Sequence, residues 1–104
     1  MAEPDTEPQP GSEQEAVPLP DAKGLVMTCL SLLAAKAWEA MGLVPSQQTK
    51  RIERNLDDAQ LAIDAAAALA DRLRPRVSDA ERREIENLVA NLRLNFVEQK
   101  GKSP

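Results

Sequence analysis

The chain has 104 residues and a formal net charge of −4, with 42% apolar and 29% charged residues, so it has room for one domain. It contains no His, no Tyr and one cysteine, Cys29, which excludes an intrachain disulfide, a Cys/His zinc site and a His-dependent catalytic triad. Trp38 and Phe96 are the only aromatics, so the core must come from Leu, Ile, Val and Ala, and domains this small and thinly cored often gain stability by associating.

The charge is unevenly placed. Residues 1–21 hold six of the 17 acids (Glu3, Asp5, Glu7, Glu13, Glu15 and Asp21) and none of the 13 bases. The rest therefore carries 11 acids against 13 bases, a net of +2. Five prolines fall in residues 1–20 and almost no large apolar side chains do, so too little surface can be buried to offset the entropy of ordering. Residues 1–21 are expected to be a disordered acidic, Pro-rich tail. An acidic start without a basic region also argues against a secretory signal.

The first structured stretch, Leu25–Met41, is broken by polar side chains only at Thr28, Ser31, Lys36 and Glu39. Its apolar positions cover almost the whole circumference of a helix, predicted over about 23–41, and such a helix must be buried on most sides. Its uncharged part, Leu25–Ala35, is too short to span a bilayer, which takes about 20 residues. Cys29 within it is expected to be a small core residue, since no electropositive neighbours would activate the thiol. Gly42 and then Pro45 should end the helix.

Ser46 or Thr49 is expected to cap a second helix over 48–73. From Ile52 its seam runs through Leu56, Ala59, Ile63, Ala66, Ala70 and Leu73 in alternating steps of about four and three. Ala65–Ala68 give strong helix propensity and permit close helix approach. Pro75 stops the helix. Ser78-Asp79-Ala80-Glu81 reads as a capping box opening a third helix over 79–99, supported by Asp79 with Arg83 four residues on. Its seam is Ile85, Val89, Leu92 and Phe96, widened by Leu88. No segment alternates like a strand. The fold class is therefore all-α: a three-helix domain over residues 22–100, followed by a short tail, 101–104.

Three pieces in order resemble a known family: the apolar first helix ending in Ala40-Met41-Gly42 with Pro45 after it, then Asn55-Leu56 with Ala59 and Ile63-Asp64, then Leu92-Arg93-Leu94 with Phe96-Val97-Glu98. Over about residues 24–98 they look like the small bacterial family catalogued as domain of unknown function 1844. The Ala65–Ala68 run, Trp38 and Pro75 depart from its pattern. The resemblance implies a helical fold and a bacterial cytoplasmic setting, and it brings no activity.

The candidate sites are surfaces. Helix one divides into two seams, one through Val26, Leu30, Leu33, Ala37 and Met41 and one through Met27, Ser31, Ala34 and Trp38. With only two other helices to pack on, the second seam is the candidate interface, with Trp38 as anchor. Asn55 lies on the apolar side of helix two, where a buried, hydrogen-bonded Asn would fix register. Asp64 and Arg93, each beside its helix's seam, are expected to pair. Asn87, Asn91 and Asn95 form a polar stripe on helix three, read either as an exposed boundary or as contacts for a partner helix. Arg72, Arg74, Arg76, Arg82 and Arg83 cluster at the second turn as a candidate anion-binding corner, and the acidic tail could fold back onto it. Interleaved Asp71, Asp79, Glu81 and Glu84 give the plainer reading, a solvated turn with ordinary ion pairs.

Nothing points to catalysis, a metal or a cofactor: the adjacent Asp57 and Asp58 face different ways, and no phosphate-binding loop is present. The expectation is a non-enzymatic helical interaction module, a homo-oligomer or the binder of a helical protein. The alternative is an RNA- or ribosome-associated accessory protein using the arginine corner. A third reading is a membrane-surface protein anchored by helix one, while a transmembrane span lacks the basic flank that would mark its cytoplasmic side.

Overall fold

A computed structural model describes residues 18–102. The disordered-tail expectation lies outside the described residues up to position 17, as do residues 103 and 104. From Pro18 to Pro20 the backbone is irregular, and Asp21 starts the fold by accepting the Gly24 amide on its side chain at 2.9 Å. Three helices follow, α1 (Ala22–Ala40), α2 (Leu56–Leu73) and α3 (Asp79–Gly101), with a short 3₁₀ turn, Arg74–Arg76, between the last two. Among the described residues there is no strand.

The helices run up, down and up. The Asn55 amide donates to the Ala40 carbonyl at 2.8 Å, which places the start of α2 beside the end of α1. Lys23 lies 3.6 Å from Glu81, which places the starts of α1 and α3 together at the other end. Arg54 donates to the carbonyl of Gln99, so the end of α3 returns to the start of α2. The central helix is α2: α1 packs along it closely, α3 packs on it more sparingly, and α1 and α3 scarcely meet.

The core explains that asymmetry. Among the described residues, half of the fourteen buried apolar ones are alanines, and all seven lie on α1 or α2 (Ala34, Ala37, Ala40, Ala59, Ala62, Ala66, Ala70). Side chains that small let two helix axes approach closely. The third helix contributes the larger Ile85, Val89 and Leu92. The seam of helix two therefore holds from Ala59 to Leu73, and that of helix three from Ile85 to Leu92, with Phe96 and Leu88 packed at its edge.

Several expectations change. Helix α2 begins at Leu56 and not near residue 48. Ser46 does accept backbone amides, from Gln48 at 3.2 Å and Thr49 at 3.4 Å, but it caps a turn. That turn closes where the Ser46 amide meets the Arg51 carbonyl, with Lys50 at a left-handed φ of 63° that no helix continues through. Ile52 falls outside the helix and is 58% exposed. The end of α1 is as expected: Gly42 takes φ 82°, a conformation that favours glycine, and the Leu43 amide reaches back to the Trp38 carbonyl.

The capping box is formed. The Ser78 hydroxyl accepts the Glu81 amide at 3.1 Å and the Glu81 carboxylate accepts the Ser78 amide at 2.9 Å. Asp79, however, pairs with Arg82, three residues on, and not with Arg83.

Candidate functional site

The first candidate is the surface of α1. Its expected interface seam is largely covered from within: Ala34 is buried, Met27 and Trp38 pack half-buried against the core, and only Ser31 is exposed. The three helices thus cover more of α1 than two apolar seams suggest, because α1 and α2 approach so closely on alanine. The face left open is the one pointing away from both other helices. It runs through Leu25, Cys29 and Leu32, with Thr28 and Ala35 beside them. Leu32 is 65% exposed and Leu25 38%. Cys29 is therefore a surface thiol, contrary to the core position expected for it. The error has a simple cause: an all-round apolar helix does not show in its sequence which side its neighbours will take.

Asn55 also lies elsewhere than expected. It is exposed, with extended backbone angles, and its side chain accepts the Asp58 amide at 3.0 Å. It is the N-cap of α2 and not a buried register residue. Asn is among the best N-caps, and Asp57 and Asp58 in the first turn complement the positive end of the helix dipole. The sequence carries the signal: Asn55, then Leu56 and two acids, Asp57 and Asp58, ahead of an apolar run, is a helix start. Among the described residues no polar or charged side chain is buried.

Asp64 and Arg93 come together without pairing. Both line a groove of about 270 Å³ between α2 and α3, with Ile63 and Phe96 in its walls, but no ion pair joins them. Of the asparagine stripe, Asn87 and Asn91 are exposed, while Asn95 is half-buried and donates to the Asn91 carbonyl at 2.8 Å.

The arginine corner divides into two kinds of side chain. Arg74 contacts Asp71 at 2.6 Å and Glu86 at 3.0 Å, and these hydrogen bonds, Asp71 first, raise its pKa above the ordinary arginine value. Arg82 is held by Asp79. By contrast, Arg72, Arg76 and Arg83 form no ion pair among the described residues. Arg72 and Arg76 line an open cleft of about 510 Å³ with Lys23, over an apolar floor of Val26, Leu73 and Pro75. The Glu81 carboxyl nearby is held below its usual pKa, first by the Ser78 amide it accepts and then by the charge of Lys23.

Among the described residues no group of three or more metal-ligating side chains converges, and no helix is long and apolar enough to cross a membrane. Comparison with curated proteins and with solved structures returns no match. The three pieces that carried the resemblance lie at the end of α1, the opening of α2 and the second half of α3, and residues 23–98, which take in all of α2 and most of α1 and α3, match one family model. The chain belongs to the family described as Domain of unknown function (DUF1844).

Proposed function

We propose that this protein is a non-enzymatic helical association module, and that a second copy of the chain covers the outer face of α1. The observation that carries this reading is the exposure of Leu25, Cys29 and Leu32 along one stripe of a helix whose other faces are already packed. Charged residues are absent from that stripe until Lys36, so water gains little from keeping it wet. Thr28, Cys29 and Ala35 are small enough for a neighbouring helix to approach closely. Two such stripes are self-complementary, as an interface about a two-fold axis requires.

The size of the stripe sets its strength. Nineteen helical residues extend about 28 Å. A stripe of that length and about 10 Å wide buries roughly 600 Å² in a pair, below the roughly 1,200 Å² where standard interfaces begin. Association should be weak and concentration-dependent. The arginine corner supports RNA association less well, since Arg74 and Arg82 already hold carboxylates and no aromatic side chain stands among the five arginines to stack a base.

Cys29 sits in the middle of the stripe and is the only thiol. Its rate of alkylation by a maleimide should fall as protein concentration rises, and Leu32→Glu should restore the fast rate. A rate independent of concentration would overturn the reading.

A further inference from the structure

The cleft between the start of α1 and the end of α2 carries positive charge that the described residues leave uncompensated. Arg72 and Arg76 have no carboxylate partner there, and Lys23 is only loosely engaged, 3.6 Å from Glu81. Asp71 also lines the cleft, but its carboxylate is taken by Arg74. Two free guanidinium groups above an apolar floor suit a short acidic peptide: planar guanidinium forks pair bidentately with carboxylates, and the floor accepts the aliphatic stems.

The chain carries such a peptide a few residues ahead of the cleft-lining Ala22 and Lys23 in sequence. Residues 1–17 include Glu3, Asp5, Glu7, Glu13 and Glu15 and no Lys or Arg. They join the described chain at Pro18, and Ala22 and Lys23, only a few residues on, line the cleft. Glu15 and Glu13 lie three and five residues before Pro18, so extended chain carries them at most about 11 and 18 Å from it. A tether that short holds its acids near the cleft at an effective concentration on the order of millimolar, enough to populate contacts too weak to form between separate molecules.

We propose that the acidic segment docks in this cleft, with the Glu13 and Glu15 carboxylates on the Arg72 and Arg76 guanidinium groups. The corner is then occupied by the chain itself, and any other anion must displace the segment to bind. This inference does not rest on the proposed α1 interface, whose Leu25, Cys29 and Leu32 do not line the cleft.

The test uses the full chain and the side-chain Nε–H signals of its arginines in NMR. Replacing Glu13→Gln and Glu15→Gln together should shift the Arg72 and Arg76 signals and leave those of Arg74 and Arg82, held by their own carboxylates, in place. Raising salt from about 0.01 M to about 1 M shortens the screening length from roughly 30 to 3 Å. It should reproduce the same shift in the unsubstituted chain and add little in the variant. Among the described residues the buried core is drawn from Leu30 to Leu92, and both substitutions fall in the sequence before it. If the Arg72 and Arg76 signals respond to salt but are identical in the two chains, bulk counterions occupy the cleft and the docking is refuted. Signals that respond to neither change refute it as well.

Discussion

The N-cap of α2 gives a prediction whose sign separates two readings of one residue. Asn55 accepts the Asp58 amide at 3.0 Å, and its own amide donates to Ala40 at 2.8 Å. Asn55→Ala removes the first bond and leaves the second. An N-cap Asn replaced by Ala costs about 1 kcal/mol, within a range of about 0.5–2, and the exposure of the site lets water recover part of the loss. In a domain of this size about 1 kcal/mol lowers the thermal midpoint by roughly 4–8 °C. Asn55→Leu should cost at least as much, because Leu cannot cap and adds an exposed apolar side chain. Asn55→Asp should retain the cap, its gain from the helix dipole offset by repulsion from Asp57 and Asp58. Thermal unfolding followed by far-ultraviolet circular dichroism reads all three. A midpoint that rises in Asn55→Leu would mean that the side chain is buried among apolar neighbours, and the capping account would fail.

Packing predicts a contrast between two alanines of the same run. Ala66 is fully buried between helices, so Ala66→Leu should overpack the core by about 1–3 kcal/mol, whereas Ala68→Leu, on the exposed face, should stay within about 0.5 kcal/mol. Urea midpoints check this, and equal effects would contradict the close approach of α1 and α2. At the capping box, Ser78→Ala should cost about 1 kcal/mol, while Glu81→Gln keeps the side-chain acceptor. The Glu81 carboxyl has a depressed pKa in the folded state, so its contribution is present above the unfolded value and lost as pH falls through the folded one. Stability relative to Glu81→Gln should therefore decline only in acid, from the ordinary glutamate range downward, and a decline that begins near neutrality would be inconsistent with that origin.

The helical fold and its seams were legible because burial follows a period that the sequence displays. Ala59, Ile63, Ala66, Ala70 and Leu73 repeat at helical spacing, and each is buried. Punctuation was legible where it is chemically specific: Gly42 at positive φ and the Ser78–Glu81 box stand where expected. The start of α2 was missed because Ile52 continues the seam's spacing, and spacing alone does not reveal that the backbone turns at Lys50. Asn55 was misplaced for the same reason, since a wheel drawn from Ile52 puts the cap on the apolar side. The surface of α1 was the least legible part. Almost every face of that helix is apolar, so only the positions of α2 and α3 decide that Trp38 is sheltered and Leu32 is not. In the arginine corner, sequence showed which charges lie close along the chain. Only the fold shows that Arg74 and Arg82 are engaged while Arg72 and Arg76 are not.

The most direct test of the association proposed here is sedimentation velocity across a wide concentration series. The unsubstituted chain should move from monomer toward dimer as concentration rises. A chain carrying Leu25→Glu and Leu32→Glu should remain monomeric at every concentration with an unchanged circular dichroism spectrum, because both side chains face outward from the fold. An unsubstituted chain that stays monomeric throughout, or a doubly substituted chain that associates equally well, would contradict the assignment of the α1 face as the interface.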